Sequence, residues 1–242
     1  MIPMRAASTR VLFNAILLLV AVSGLVWGGL SAKDAAISDD FISTEARLLR
    51  FETFTADAAT RALQLAQTNR VSPCDTHAQR TLLLLEIPLL DAALRAGSGK
   101  EFDERIASME ARARLTLSCA PRDSFAWLVA FGLALGHGHL DAGAFALLAQ
   151  SYATGPNEAW IAVRRTIIAS PVLMQAPGDV REEILDEFGR LVSRGFVDVS
   201  AKAYLSAPSA AQDLLKARVE QLDPRAQSAF AKTVEVLRRY RG

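Results

Sequence analysis

The sequence predicts an all-α protein in which one N-terminal transmembrane helix precedes a domain of α-helical hairpins stacked as a solenoid. Two observations favour this fold class. Residues 11–30 form an uncharged apolar run of 20 residues, the length of a membrane-crossing helix. The remainder is rich in Ala, Leu, Arg and Glu, with apolar residues three and four apart. It lacks the alternating β-branched runs that are typical of strands.

Composition limits the classes of function. The chain has 242 residues, of which 51% are hydrophobic, and a net charge of +1. This is enough for one large helical domain or a short array of repeats. Residues 1–35 hold Arg5, Arg10 and Lys33 against Asp34, so they contribute +2 and the rest of the chain is near −1. Because the main domain has no basic excess, we expect no nucleic-acid partner.

The apolar run at residues 11–30 is interpreted as an uncleaved signal-anchor. At 1.5 Å per residue it spans roughly 30 Å, which matches the core of a bilayer. Arg5 and Arg10 precede it and several acids follow it. The positive-inside rule then places residues 1–10 in the cytoplasm and the main domain across the membrane. A signal peptide cleaved near Gly29–Ser31 is the alternative, and both interpretations export the domain.

The location of the domain follows from the same segment. High Ala and Arg content suggests a bacterial inner membrane, with residues 31–40 as a linker and residues 41–242 as the periplasmic domain. Gly24 and Gly28 form a G-x-x-x-G pair, the spacing that lets two membrane helices approach closely. They are compatible with a transmembrane dimer face and, with it, a homodimer. The alternative is that the two glycines reflect only the general frequency of glycine in membrane helices.

Breaks and caps divide the exported part into helices. The first is predicted at about residues 41–68, and the next at about 75–95, where Pro88 should kink it. A tight turn at 96–99 leads into a helix at about 101–118, which makes an antiparallel hairpin with the helix before it. The C-terminal third is also predicted to be helical, at about 180–193, 198–206, 208–221 and from Asp223 onward.

Cys74 and Cys119 are the only cysteines, and each lies in a predicted loop beside the hairpin. Because the two helices of the hairpin are antiparallel, both loops lie at the same end. An oxidising compartment then favours a disulfide. Closing a loop of about 46 residues would stabilise the fold by roughly 4 kcal/mol. Two buried thiols are the alternative, and a redox-active pair is not expected because C-x-x-C is absent.

The centre of the chain contains two similar short sequences at the spacing of a structural repeat. Trp127 and Trp160, each within an Ala-Trp-aliphatic triplet, are 33 residues apart, and each lies near the start of a predicted helix. A turn at 136–139 and a second helix at about 141–153 lie between them. A helix-turn-helix unit of about 34 residues is typical of a stacked helical solenoid.

Residues 124–158 resemble one repeat of the tetratricopeptide repeat family. Counted back from Pro156 as the closing proline, the small or apolar positions of that family are occupied by Gly132, Ala144, Leu148 and Ser151. The resemblance implies a TPR-like solenoid at about residues 75–170, with a groove that binds a protein partner. The residues assigned to this groove are Trp127, Phe131, Trp160 and Arg164. For the two tryptophans, a role in the core is the alternative.

Metal chemistry is not expected. His137 and His139, followed by Asp141, have the ligand types that suit zinc, but they lie in the turn between two paired helices. Such a turn requires Gly136 and Gly138 for its own conformation, and no third strong ligand is near in sequence. We therefore predict no metal and no other cofactor.

Catalysis is not expected either. Paired carboxylates can hydrolyse a glycosidic bond, and one predicted helix is crowded with acids: Glu182, Glu183, Asp186 and Glu187. Arg181 and Arg190 accompany them on an amphipathic helix, so a solvated face is the preferred interpretation. The chain contains no G-x-S-x-G elbow, P-loop or G-x-G-x-x-G fingerprint.

The sequence thus predicts a membrane-anchored adaptor or scaffold, without enzymatic activity, that mediates protein-protein interaction in the cell envelope. Its expected partner is another envelope protein. Two alternatives stay open. One is an accessory factor in the biosynthesis or export of envelope polysaccharide, which rests on analogy with other small anchored helical proteins. The other is an exported hydrolase with a dispersed site.

Overall fold

A computed structural model describes residues 4–50, 52, 54–68 and 71–240, with side chains throughout except at 4–12, 30–38 and 40. Every regular element in this part is helical, which confirms the all-α prediction. The α-helices are α1 (Met4–Leu49), α2 (Ala56–Thr68), α3 (Thr76–Arg95), α4 (Gly99–Cys119), α5 (Ser124–Gly136), α6 (Ala142–Thr154), α7 (Ala159–Ala169), α8 (Gly178–Ser193), α9 (Val197–Ser206), α10 (Ser209–Val219) and α11 (Pro224–Arg239). A short 3-10 helix, Ser170–Gln175, follows α7.

Helix packing follows the order of the chain. From α3 to α6, each helix packs against the next one. Helices two apart also pack together, as α1 does with α3, α5 with α7, α6 with α8, and α9 with α11. The apolar stripes meet in one continuous core that extends from Phe41 in α1 to Val234 in α11. This arrangement buries one face of each hairpin against its neighbours, which a single hairpin cannot do alone.

Aspartates define where four of the helices begin. In each case the side-chain carboxylate accepts a hydrogen bond, at 2.9–3.0 Å, from the backbone N–H three residues further on. The capping residues are Asp75, Asp123, Asp141 and Asp223. Each such cap typically contributes about 1 kcal/mol, so the starts of α3, α5, α6 and α11 are determined locally by sequence.

The N-terminal region differs from the prediction. Residues 31–40, expected to be a linker, continue α1 as helix, because they contain three alanines and neither glycine nor proline. The helix expected at 41–68 is instead interrupted between Leu49 and Ala56. There the Thr55 hydroxyl accepts a hydrogen bond of 3.2 Å from the Ala58 backbone N–H and caps α2.

The predicted membrane segment is described only in part. Among the described residues, no helix is both long enough and apolar enough to cross a membrane. The predicted segment, residues 11–30, is not covered completely, because side chains are described only for residues 13–29 of it. Of the predicted cytoplasmic residues 1–10, positions 1–3 lie outside the described residues, and the side chains of 4–10 are not described. Residues 241–242 also lie outside the described residues. The transmembrane helix therefore stays a prediction.

The two cysteines are brought together as the hairpin predicts. Cys74 precedes α3 and Cys119 ends α4, and the two helices pack along each other. The sulfur atoms are bonded, with the Cα atoms 5.2 Å apart. The bridge thus closes the open end of the α3–α4 hairpin.

Candidate functional site

The helical domain has an open apolar trough between α3, α4, α5 and α7. Its volume is roughly 520 Å³, within the range of about 300–1,000 Å³ that is usual for ligand sites. The floor consists of residues such as Phe125 and Leu128, each 1% exposed. Ile87 and Ile167 form the rim, with 39% and 48% of their surface exposed. The trough therefore grades from a buried floor to a solvent-exposed rim.

Two glycines of α5 keep the trough open. A Cβ atom added at Gly132 would meet only the Ile168 Cδ1 atom, at 3.9 Å, and one added at Gly136 would meet nothing within 4 Å. Both residues line the trough, and they are four apart, so they lie on the same face of the helix. A larger side chain at either position would extend into the empty volume.

Arg164 is the one charged residue among the described residues that line the trough. Its guanidinium donates to the backbone carbonyl of Trp160 at 3.0 Å and to that of Leu48, the penultimate residue of α1, at 3.4 Å. The guanidinium also lies 5.3 Å from the centre of the Trp160 ring. Burial lowers the pKa of Arg164 to about 10, so the side chain stays charged at neutral pH. The trough thus has a cation in an otherwise apolar wall.

The four residues assigned to a partner groove occupy three different environments. Arg164 lines the trough, and the Trp160 ring lies beside its floor, 5.1 Å from the Phe125 ring. Phe131 is fully buried and packs on the far side of α5, 5.9 Å from a ring of α6. Trp127 is half-buried, and its indole N–H donates to the carbonyl of Pro121 at 2.8 Å. Two of the four are therefore at the trough and two are not.

A polar cluster attaches α1 to the rest of the domain beside this trough. Arg80 of α3 donates to Glu45 of α1 at 2.9 Å and to Asp123 at 2.8 Å. His77 lies 2.7 Å from the same Glu45 carboxylate. Both carboxylates are nearly buried, with 5% and 2% of their side chains exposed. The C-terminal part of α1 is therefore joined to α3 by ion pairs as well as by apolar packing.

A buried ion pair lies deeper, between α7 and α8. The Arg165 side chain is fully buried, and its Nε donates to both oxygens of Glu187 at 3.1 Å. The guanidinium also donates to the carbonyls of Ser151 and Gly155 at 2.9 and 3.0 Å. Burial raises the pKa of the Glu187 carboxyl, and Arg165 acts in the opposite direction. This pair joins α6, α7 and α8, and the sequence interpretation did not identify it.

The acidic row of α8 is not the uniform solvated face that was expected. Glu182 and Asp186 both accept hydrogen bonds from Arg218 of α10 at the surface. Glu187 is turned into the core instead. The sequence contained a signal for this difference, because Glu187 lies three residues after the buried Ile184 and next to the buried Phe188.

The turn that contains His137 and His139 connects α5 to α6. Gly138 has a φ of +79°, a conformation that favours glycine. Asp141 caps α6, and His137 lies 2.6 Å from the carboxylate of Glu110. Within the described part of the chain, no group of three His, Cys, Asp or Glu side chains is placed to hold a metal ion.

Comparison of the chain with protein-family models, curated proteins and solved structures gives no match. The contacts described above are therefore the basis on which its function can be argued.

Proposed function

We propose that this chain is a membrane-anchored, periplasmic helical-repeat adaptor that binds a partner protein of the cell envelope in the apolar trough. The observation that carries the proposal is the trough itself, which combines a buried floor, an exposed apolar rim and one cation. An exposed apolar surface of this kind is a mark of an interaction site. The resemblance of residues 124–158 to one tetratricopeptide repeat is consistent with this role. So is the packing of several helices against the second helix after them, as in α5 with α7 and α6 with α8.

The proposed anchor is residues 11–30. Within it, residues 13–29 are exposed along their whole length, including Leu25 at 77% and Trp27 at 73%. Apolar side chains in such a continuous run are unfavourable in water, and a bilayer would cover them. The flanking charges then direct the helical domain out of the cytoplasm. A Cβ atom added at Gly24 or at Gly28 would meet no other atom within 4 Å. This face of the helix therefore has room for the proposed dimer contact.

The proposal assigns no catalytic role. Glu187 is paired with Arg165 in the core, and His137 pairs with a carboxylate in a turn. The acids at Glu182 and Asp186 are paired with a surface arginine. These contacts give each group a structural role, which supports an adaptor over a hydrolase.

Site-specific photo-crosslinking tests the proposal. A photoreactive phenylalanine derivative placed at Ile167, on the rim, should crosslink a specific envelope protein in intact cells. The same residue at Val236 of α11, which is 41% exposed and outside the trough, is the matched control. Adding Gly132→Leu should abolish the crosslink from position 167, since it fills the trough. Identical crosslinks from both positions would contradict the proposal.

A further inference from the structure

The shape of the trough restricts what can bind there. Its lining passes from the buried Phe125 and Leu128 through half-buried walls to the exposed Ile87 and Ile167. An occupant is therefore covered on one side and left in water on the other. A molecule that is apolar all round would keep much of its surface exposed, whereas a molecule with one apolar and one polar face is matched on both sides.

The walls also restrict the backbone of a protein occupant. All described lining residues lie inside α3, α4, α5 or α7, and away from its ends a helix uses its backbone N–H and C=O groups internally. The walls therefore offer no strand edge to an extended peptide. An extended segment would place unpaired backbone groups against carbon, which is costly. An α-helix satisfies its own backbone and presents side chains only.

The charge of the trough adds a third restriction. The Arg164 side chain is half-buried in the wall, and its guanidinium lies 5.3 Å from the centre of the Trp160 ring. In such a setting the interaction with an opposite charge is stronger than it is in bulk water. An occupant with a carboxylate at this point is favoured over one that is neutral or basic there.

We propose that the trough binds an amphipathic α-helix whose apolar face enters between α3 and α7 and whose acidic side chain meets Arg164. Its apolar residues recur at i, i+3 or i+4, and i+7. This inference rests on the proposed function, because it names the kind of partner that the same trough takes. It leaves open which envelope protein supplies the helix.

A peptide selection experiment tests this inference and does not require the partner to be identified. The probe is a displayed library of peptides, randomised at every position, that is panned against the full chain in lipid nanodiscs. Panning against Gly132→Leu removes sequences that bind elsewhere. The expected result is enrichment of sequences with helical apolar spacing and an acid at one fixed position. Enrichment of sequences without this spacing, or no enrichment that depends on Gly132, would overturn the proposal.

Charge variants of the wall test the contact with Arg164. Arg164→Gln should weaken binding of a selected peptide by about tenfold, the size of one close charge contact, whereas Arg164→Lys should retain most of it. Changing the acid of the peptide to its amide should cause a similar loss with the wild-type chain and little further loss with Arg164→Gln. If the losses of affinity from Arg164→Gln and from the amide peptide add when the two changes are combined, the contact is refuted.

Two other occupants are distinguished by separate measurements. Native mass spectrometry that detects an acyl lipid bound to the wild-type chain but absent from Gly132→Leu would assign the trough to lipid. A dimer in nanodiscs that Gly132→Leu dissociates would assign it to a second copy of the chain. Either result would overturn the proposal. A third outcome separates this inference from the proposed function. If position 167 crosslinks a partner protein but the selected peptides lack helical apolar spacing, this inference is refuted and the proposed function stands.

Discussion

Glu187→Gln should destabilise the protein by about 3–5 kcal/mol, because it removes one partner of a buried ion pair and leaves the other charge behind. Arg165 has 0% of its side chain exposed and Glu187 has 2%, so water cannot replace the lost carboxylate. The remaining acceptors of the guanidinium are neutral: the carbonyls of Ser151 and Gly155 and two serine hydroxyls. They do not compensate for the positive charge.

Thermal denaturation of the full chain in detergent, followed by far-UV circular dichroism, measures this loss. Wild type and variant are compared in the same buffer at neutral pH. For a chain of this size, a loss of 3–5 kcal/mol corresponds to a decrease in Tm of roughly 6–20 °C. A substitution that leaves the Tm unchanged would show that the pair does not stabilise the fold.

Glu182→Gln is the matched control on the same helix. Glu182 pairs with Arg218 at 2.6 Å, but 63% of its side chain is exposed, so its loss should cost less than about 1 kcal/mol. The double variant Arg165→Met/Glu187→Leu should be less unstable than Glu187→Gln, because it leaves no unpaired charge in the core. Equal losses in Glu187→Gln and Glu182→Gln would refute the assignment of Glu187 to the core.

The remaining predictions concern other parts of the helical domain. Replacing Cys74 and Cys119 by serine should cost about 4 kcal/mol in the chain-entropy model, as measured by urea unfolding, and should abolish sensitivity to reductant. Glu86→Gln should change the pH dependence of stability. Burial raises the pKa of the Glu86 carboxyl from 4.5, so its contribution to stability is greatest below pH 4.5 and falls as the pH rises through the folded-state pKa. The stability of wild type relative to Glu86→Gln should therefore be lower at pH 8 than at pH 4.5, and a constant difference would contradict the assignment. Gly132→Ala should stabilise the protein by up to about 1 kcal/mol through helix propensity, since the new Cβ meets only ordinary contact distances. Gly155→Ala should destabilise by about 1–3 kcal/mol, since its Cβ would lie 2.6 Å from a neighbouring serine side chain, and similar melting temperatures for the two variants would contradict both expectations.

Local signals in the sequence were sufficient for most of the helix boundaries and for the disulfide. The helix predicted from Asp223 onward begins there in the structure, because the Asp223 carboxylate accepts a hydrogen bond from the Ala226 backbone N–H and caps α11. Cys74 and Cys119 meet because a helical hairpin brings its two ends together, which depends only on its two helices being antiparallel. The prediction was poorer at residues 31–40, which were expected to form a linker but continue α1 as helix because they contain three alanines and neither glycine nor proline.

The trough could not be located from periodicity alone. The faces of α5 are both apolar, and the sequence interpretation selected Trp127 and Phe131, which are four apart on one of them. The trough is lined by the other face, which includes Phe125 and Gly132. Which face stays uncovered depends on where α6 packs, and that is a property of the tertiary arrangement. The two glycines of this apolar helix were the available signal.

The two consecutive arginines of α7 show the same limit. Arg164 and Arg165 are adjacent in sequence, so their side chains point about 100° apart around the helix. One lines the trough and contacts the carbonyl of Leu48, and the other is fully buried against Glu187. Residue type and spacing do not distinguish these roles, because both arginines follow Trp160 on a short amphipathic helix. The distinction comes from which helix each side chain contacts, α1 for Arg164 and α8 for Arg165.

The position of α1 connects the proposed anchor with the proposed binding site. The helix continues without a linker through residues 31–40 and ends beside the trough. Glu45 is held by Arg80, and the end of the helix is contacted by Arg164, which is itself part of the trough wall. A rigid connection of this kind leaves the trough little freedom to turn relative to α1. If residues 11–30 lie in the membrane and the trough binds a partner helix as proposed, that helix would meet the trough in one orientation. The anchor would then contribute to the choice of partner by limiting the directions of approach.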